Sequence, residues 1–236
     1  MTSAPGEPEP GAVPEDAAPG TQRPASPSGR YGLLLLLLVG TYLFSAFTTG
    51  KLVNGVQIVV FVGSLLLALR SSQVSPWAAR LVFGVVAVGS AVAFGVVLAQ
   101  PTQDAVGAAQ IWTGLILLVS VVVIVRRVLA NTTVTLQSIY GALSAYIIIG
   151  LMFAAFYGAM DRLGGVPFFA NGQPGDTKTF QYFSFTTLTT LGYGDFTAAS
   201  DAGRAVAVME AMVGQIFLAT LVARLVSAFR PSADDK

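Results

Sequence analysis

The chain has 236 residues, of which 54% are hydrophobic and 11% are charged, whereas about 25% of the residues of an ordinary soluble domain are charged. Because a soluble fold could not bury so much apolar surface, this composition predicts a membrane protein. The net charge of +1 without a long basic run gives no support for nucleic-acid binding. The absence of cysteine and histidine excludes disulfides, thiolate chemistry and the usual zinc sites.

The first 29 residues are rich in Pro, Gly, Ala and Ser and show no apolar periodicity. Such a segment cannot bury enough surface to offset the entropy of ordering, so we expect residues 1–29 to be a disordered tail. A signal peptide is the alternative interpretation of the leucine run after Arg30. Against it, the preceding segment is unusually long and no clear A-x-A cleavage site follows.

Six apolar segments follow the tail, each close to the length of about 20 residues that a membrane-spanning helix needs. The predicted spans are residues 31–47, 52–69, 81–98, 108–125, 134–160 and 204–228. Residues 161–203 separate the last two spans and are too polar to cross, yet they contain an apolar stretch at 180–191. We therefore predict an all-α membrane protein with six transmembrane helices and a re-entrant segment between the fifth and the sixth.

The distribution of Lys and Arg predicts the orientation of the spans. With both termini in the cytoplasm, four basic residues lie outside, namely Lys51, Arg162, Lys178 and Arg204. The other nine then lie inside, namely Arg23, Arg30, Arg70, Arg80, Arg126, Arg127, Arg224, Arg230 and Lys236. This excess predicts a multi-pass protein of the plasma membrane with both termini cytoplasmic.

The stretch TTLTTLGYGDFTAAS, residues 186–200, places two glycines around a tyrosine and follows them with an aspartate. Non-helical backbone at membrane depth is tolerated only where protein buries it or where it lines an aqueous path. Gly192 and Gly194 can adopt φ values that are closed to residues with a Cβ, so successive carbonyls can point the same way. A row of such carbonyls, with the Thr190 hydroxyl at its base, can replace the water shell of a cation.

Residues 190–195, TLGYGD, resemble the selectivity filter of potassium channels, whose family form is TVGYG. The presence of Tyr193 favours potassium over sodium in this family, since non-selective relatives commonly lose that tyrosine. The resemblance implies a homotetramer, because a four-fold ring of carbonyls needs four copies of one loop. It also implies that the permeant ion, potassium, is bound by Thr190, Leu191, Gly192, Tyr193 and Gly194, and we predict no cofactor.

The resemblance extends upstream, where residues 178–189 correspond to a pore helix whose C-terminal end carries partial negative charge. Tyr182 and Phe183 correspond to the aromatic cuff that braces the filter tyrosine. Thr186 occupies the position where some members carry a buried glutamate bonded to the filter aspartate. We therefore expect this brace on Asp195 to be missing or weaker, with altered filter gating as a consequence. The resemblance implies that the filter is supported by Thr186, Thr189, Tyr182, Phe183, Asp195 and Glu210.

The last span resembles the inner, pore-lining helix of the same family. Gly214 lies 19 residues after Asp195, which is the spacing of the family's hinge glycine; the alternative is a glycine kept for close helix packing. Glu210 is an acid within an apolar helix, which we interpret as a buried brace to the pore helix, the alternative being a solvated position near the outer interface. Helical spacing predicts that the cavity and inner gate are lined by Gln215, Leu218, Val222 and Val226.

Six spans with a late pore loop also match the layout of voltage-gated channels, whose fourth helix needs repeated arginines. Here the fourth span carries only Arg126 and Arg127, adjacent and at its inner end. We therefore predict that residues 30–130 form a four-helix region without a voltage sensor. Residues 131–230 would form the pore domain, and residues 231–236 a short tail without a ligand-binding domain.

These features together predict passive, selective potassium conduction across the plasma membrane. A weakly selective cation channel and a non-conducting, channel-like subunit remain as alternatives. An enzyme would need a paired nucleophile and base or clustered acids within the spans, so we predict no enzymatic activity. The predicted partners are potassium ions, the lipid bilayer and three further copies of the chain, without nucleic acid, and the sequence does not indicate the gating stimulus.

Overall fold

The computed structural model of the chain describes residues 30–47, 63, 76–130 and 134–228. The described residues form six α-helices and one 3-10 turn at Ala170–Gly172. The helices are α1 (Arg30–Phe47), α2 (Pro76–Ala99), α3 (Gln103–Ala130), α4 (Leu136–Leu163), α5 (Thr177–Leu188) and α6 (Asp201–Ala228). The all-helical prediction is thus confirmed for this part of the chain. The predicted tail at residues 1–29, the second span apart from Gly63, and residues 231–236 lie outside the described residues.

Three of the described helices are long and apolar enough to cross a membrane, at Gln103–Ala130, Leu136–Leu163 and Asp201–Ser227. The first and third predicted spans correspond to shorter apolar stretches, Tyr31–Ser45 within α1 and Phe83–Ala99 within α2. Three spanning helices are therefore found among the described residues, where the sequence predicted six spans over the whole chain.

Helix α4 is the centre of the fold. Thr135 begins the helix by accepting a hydrogen bond of 3.2 Å from the amide of Ser138, which satisfies one of the free amides of the first turn. In the most apolar stretch of α4, 61% of the residues are buried, against 11% in α6. The contact with α3 depends on glycine, because a Cβ on Gly107 or Gly114 would overlap the side chains of α4.

A short backbone clasp joins the chain before α5 to the chain before α6. Phe169 and Ala198 form an antiparallel bridge. The amide of Ala170 donates to the carbonyl of Thr197 at 2.8 Å, and the amide of Ala199 donates to the carbonyl of Phe168 at 2.9 Å. The clasp therefore holds α5 and the residues that follow it inside a closed loop of the chain.

Helix α5 has a defined beginning and end. Asp176 is its N-cap, and its Oδ1 accepts from the Thr179 amide at 2.8 Å and from the Thr179 hydroxyl at 2.7 Å. Thr189 is its C-cap, whose hydroxyl donates to the carbonyl of Phe185 at 2.7 Å. The helix thus occupies almost the same residues as the helix predicted at 178–189.

Candidate functional site

In the segment that follows α5, residues with positive φ alternate with residues that do not have positive φ. Thr190, Gly192 and Gly194 have φ of 58°, 50° and 81°, whereas Leu191 and Tyr193 are not among the residues with positive φ. Glycine is the residue that enters this region without a steric cost. Thr190, which carries a branched Cβ, adopts it at a cost of about 1–2 kcal/mol. Alternation of this kind keeps successive peptide planes in similar orientations while the chain stays extended.

The amides of this segment are tied to the last turn of α5. The amides of Leu191 and Gly192 both donate to the carbonyl of Thr186, at 2.8 and 3.1 Å. In a trans peptide the N–H and the C=O of one unit point in opposite directions. The carbonyls of Thr190 and Leu191, which share peptide units with those two amides, therefore point away from α5. Neither carbonyl accepts a hydrogen bond from the described residues, so both can bind a ligand on the other side of the segment.

The hydroxyl of Thr190 connects the segment to α6. It donates to the carbonyl of Thr189 at 2.7 Å and accepts from Nε2 of Gln215 at 3.4 Å. Gln215, which the sequence assigned to the cavity, thus lies at the base of the segment. The other predicted cavity residues continue along α6; Leu218 is half-buried, and Val222 and Val226 are exposed in the single chain.

Asp195, at the far end of the segment, is held by Tyr182. The Tyr182 hydroxyl donates to Oδ2 of Asp195 at 2.8 Å, and this hydrogen bond raises the pKa of Tyr182 to about 12. Thr186 occupies the position where some potassium channels carry the bracing glutamate. Its hydroxyl donates to the carbonyl of Phe183 at 3.0 Å and not to Asp195. The aspartate therefore has a brace, supplied one helical turn earlier than the position that the sequence analysis considered.

Among the described residues, the rings of Tyr182 and Phe183 pair with rings other than that of Tyr193. Phe183 is buried against the rings of Tyr157, Phe168 and Phe169. Tyr193 is 68% exposed and Leu191 is 53% exposed. The outer side of the segment is therefore left open when one copy of the chain is considered alone.

Glu210 is fully buried, at 0% exposure, and links three helices. Its Oε2 accepts from the Tyr157 hydroxyl of α4 at 2.6 Å, and its Oε1 lies 2.5 Å from the Ser184 hydroxyl of α5. Ser184 also lies 2.6 Å from the carbonyl of Gly150, yet one hydroxyl has a single proton to donate. A protonated Glu210 that donates to Ser184 satisfies both contacts. The carboxyl group is thus buried against α5 rather than solvated.

Gly214 packs directly on the end of α5. A Cβ at this position would overlap the backbone carbonyl and the side chain of Leu188. The same carbonyl accepts a hydrogen bond of 3.2 Å from the Tyr146 hydroxyl. Helix α6 continues through Gly214 without a break. Close packing accounts for the glycine in this conformation, and the hinge remains a prediction.

Several residues of this site were not identified from the sequence. Isolated polar residues in apolar helices are a weak indication of interhelical hydrogen bonds, and that indication was available for all of them. Their partners could not be read from spacing, because each contact joins residues on different helices. The residues that the sequence analysis missed are Tyr146, Tyr157 and Ser184.

A known family of proteins matches the part of the chain that contains this site. Residues 141–230, less than half of the chain, match a family model described as ion channel. The match begins in α4 and includes α5, the segment with alternating φ, and α6. No curated protein matches the chain. The family match and the membrane-spanning helices support an ion channel of the pore-loop type embedded in a membrane.

Proposed function

We propose that the protein is a potassium-selective channel that conducts potassium passively, with residues 190–194 as the filter. The proposal is supported above all by the backbone geometry of that segment. Its amides at Leu191 and Gly192 donate to the carbonyl of Thr186, so the carbonyls of Thr190 and Leu191 point away from α5. Rings of backbone carbonyls replace the hydration shell of potassium in filters of this kind. The Thr190 hydroxyl, which is exposed at the base of the segment, would complete the lowest site.

The proposed assembly is a homotetramer. One copy contributes a single row of carbonyls, whereas a closed ring of four-fold symmetry needs four. Two features support assembly through this side of the chain. The side chains of Leu191 and Tyr193 are exposed, and α6 exposes a row of large apolar residues that lipid or further copies would cover, namely Met209, Met212, Val213, Ile216, Val222 and Val226.

The electrostatics of α5 favour a cation beside its last turn. The C-terminal end of a helix carries partial negative charge from its free carbonyls. The exposed Thr189 and Thr190 follow that end directly. A dehydrated potassium ion at the base of the filter would therefore lie close to the negative end of α5, and four copies would sum their contributions.

The wider arrangement that we propose has six spans, with both termini on the cytoplasmic side of the plasma membrane. Residues 131–230 form the pore domain, and residues 30–130 form a region without a voltage sensor. In support, the described part of α3 carries its two arginines, Arg126 and Arg127, only near its C-terminal end. Potassium and lipid are the proposed partners, and the channel would need no resident cofactor.

The reversal potential of the purified, full-length protein in a planar bilayer tests the function, with potassium on one side and sodium on the other. A value near the potassium equilibrium potential is the expected result. A value near zero with robust current would replace the proposal by a weakly selective cation channel. Persistent silence of correctly assembled tetramers would favour a non-conducting subunit.

Two variants sharpen this test. Gly192→Ser should abolish conduction or potassium preference, because serine is disfavoured at a φ of 50°. Gly95→Ser is the matched control, since a Cβ at Gly95 meets no atom within 4 Å in the described structure. Equal currents and equal selectivity in both variants would contradict the assignment of the filter.

A further inference from the structure

Helix α1 contacts α5 directly, although it lies more than 90 residues before the segment matched by the ion channel family. The Ser45 hydroxyl lies 2.9 Å from Oε1 of Gln181 in a buried side-chain hydrogen bond. One turn away, the rings of Tyr42 and Phe185 meet edge to face with 4.9 Å between their centroids. Because Tyr42 and Ser45 are three residues apart and Gln181 and Phe185 four apart, one face of each helix makes both contacts.

The rest of α1 is consistent with a helix that is docked through one face. Its buried residues recur at helical spacing, at Leu34, Leu38, Thr41 and Ser45. Its exposed large residues lie between them and include Leu36 and Phe44. At its beginning α1 packs on α4, where Tyr31 lies against Gly141. The helix therefore runs along α4 and ends beside α5.

Gln181 explains why this contact is specific. It is a buried amide in α5, and a buried polar group without a hydrogen-bond partner is costly. Ser45 supplies a partner at 2.9 Å, and its hydroxyl also lies 2.7 Å from the carbonyl of Tyr42. Because a hydroxyl has one proton, donation to Tyr42 leaves the Ser45 oxygen to accept from the Gln181 side chain, whose amide then presents its NH2 group to Ser45. Moving α1 away would leave the amide in an apolar environment. The position of α1 is therefore coupled to that of α5.

Gln181 is next to Tyr182, which holds Asp195 at the end of the proposed filter. Helix α4 supports α5 through Ser184 and Gly150, and α6 supports it through Glu210. Helix α1 is the third support and contacts the turn that carries Tyr182. We propose that Tyr42 and Ser45 are positioning residues for the filter, so that α1 controls ion selectivity or filter gating through α5. This inference rests on the proposed function.

The contact itself can be tested without any ion current. The chain contains no cysteine, so Ser45→Cys with Gln181→Cys introduces the only two thiols. In the reconstituted full chain, a short bifunctional thiol reagent should link this pair, with the cross-linked peptide identified by mass spectrometry. Phe44→Cys with Gln181→Cys is the control, because Phe44 lies on the exposed face. Equal linking of both pairs, or none of the Ser45 pair, would overturn the docking of α1 on α5.

The positioning role of Tyr42 and Ser45 is tested by the variants Tyr42→Ala and Ser45→Ala. Phe44→Ala is the matched control. We expect several-fold changes in the potassium-to-sodium permeability ratio or in the open time of the first two variants and none in the control. Tyr42→Phe and Ser45→Thr keep the ring and the hydroxyl and should restore wild-type behaviour. Wild-type currents in Tyr42→Ala and Ser45→Ala would overturn the positioning role.

The two proposals fail in different ways. Absence of potassium preference in the wild type would refute the proposed function, while the cross-linking result would still decide whether α1 is docked on α5. A potassium-selective wild type with insensitive α1 variants would refute only the role of α1. In a double-mutant cycle, Tyr42→Ala and Phe185→Ala should be non-additive in open time if the ring contact carries the coupling.

Discussion

The hydroxyl of Tyr182 and the carboxylate of Asp195 are joined by a hydrogen bond of 2.8 Å that spans the two ends of the proposed filter. Tyr182 belongs to α5, before the filter, and Asp195 is the first residue after its second glycine. The bond therefore fixes the outer end of the segment to the same helix that holds the amides of its inner end.

Tyr182→Phe removes this bond and keeps the ring. We expect the outer end of the filter to become less ordered, so that current decays several-fold faster and the preference for potassium falls. Single-channel recording and reversal potentials measure both effects. Tyr140→Phe in α4 is the control variant. Wild-type decay and selectivity in Tyr182→Phe would show that Asp195 is held by other contacts.

The same bond predicts that Tyr182 loses its proton at a higher pH than an ordinary tyrosine. The pKa of Tyr182 is raised to about 12 by its hydrogen bond to Asp195, above the ordinary tyrosine value of 10.0. A raised pKa means that the bond stabilises the fold fully below the ordinary value and is lost as the pH rises through about 12. The difference in tyrosinate absorbance between wild type and Tyr182→Phe should therefore titrate near this pH. A transition at the ordinary tyrosine pKa would contradict the bond.

Glu210→Gln should be tolerated, because an amide can donate to Ser184 and accept from Tyr157 as a protonated acid does. Glu210→Ala would leave those groups without their buried partner, at a cost of about 1–3 kcal/mol for each. Thermal denaturation of the tetramer compares the two variants. Infrared spectroscopy provides an independent check, since the carboxylic acid band of Glu210 should disappear in Glu210→Gln. Equal damage in both variants would indicate an ionised carboxylate.

Gly214→Ala should destabilise the contact between α6 and α5, because the new methyl group would overlap Leu188. Overpacking of this kind costs about 1–3 kcal/mol. Gly95→Ala in α2 is the matched control, since its Cβ would meet no atom within 4 Å. The midpoint of thermal denaturation measures the difference. Unchanged stability with altered gating would instead support the hinge predicted at Gly214.

Asp176→Ala should weaken the start of α5 by about 1 kcal/mol, which is typical of a lost N-cap. Partial burial acts to raise the pKa of Asp176, but hydrogen bonds from Thr179 outweigh it and lower the pKa below the ordinary value. A lowered pKa means that the cap stabilises the fold above the ordinary aspartate pKa and is lost as the pH falls through the folded value. The stability difference between wild type and Asp176→Ala should therefore disappear in acid.

Asp176→Asn is the control for this cap, because asparagine is also a good N-cap residue and does not titrate. It should keep most of the stability of the wild type and lose the dependence on acid. Stability equal to that of Asp176→Ala at neutral pH would show that the charge of Asp176, rather than its hydrogen bonds, supports α5.

The sequence was sufficient for the features that depend on local chemistry. Apolar length predicted α3, α4 and α6, and the glycines at 192 and 194 predicted the positions where φ is positive. Thr190 was missed as a third such position because a threonine carries no signal for positive φ. The spans predicted near α1 and α2 were less secure because their apolar stretches are short.

The contacts between helices could not be predicted, because periodicity gives the buried face of a helix and not its partner. Glu210 was identified as a buried acid, yet Tyr157 and Ser184 became its partners only when α4, α5 and α6 were placed together. The brace on Asp195 was expected to be missing or weaker because Thr186 stands where some family members carry a glutamate. The hydrogen bond from Tyr182 was not predicted, because Tyr182 was assigned to the aromatic cuff around Tyr193.

The clasp at Phe169 and Ala198 shortens the backbone path between α4 and α6. A force that separates α4 from α6 along the backbone would act on the clasp, because the clasp closes the stretch of chain between the two helices. Two backbone hydrogen bonds share the force there, from Ala170 to Thr197 and from Ala199 to Phe168. The clasp thereby limits how far the two ends of the loop that contains α5 can separate.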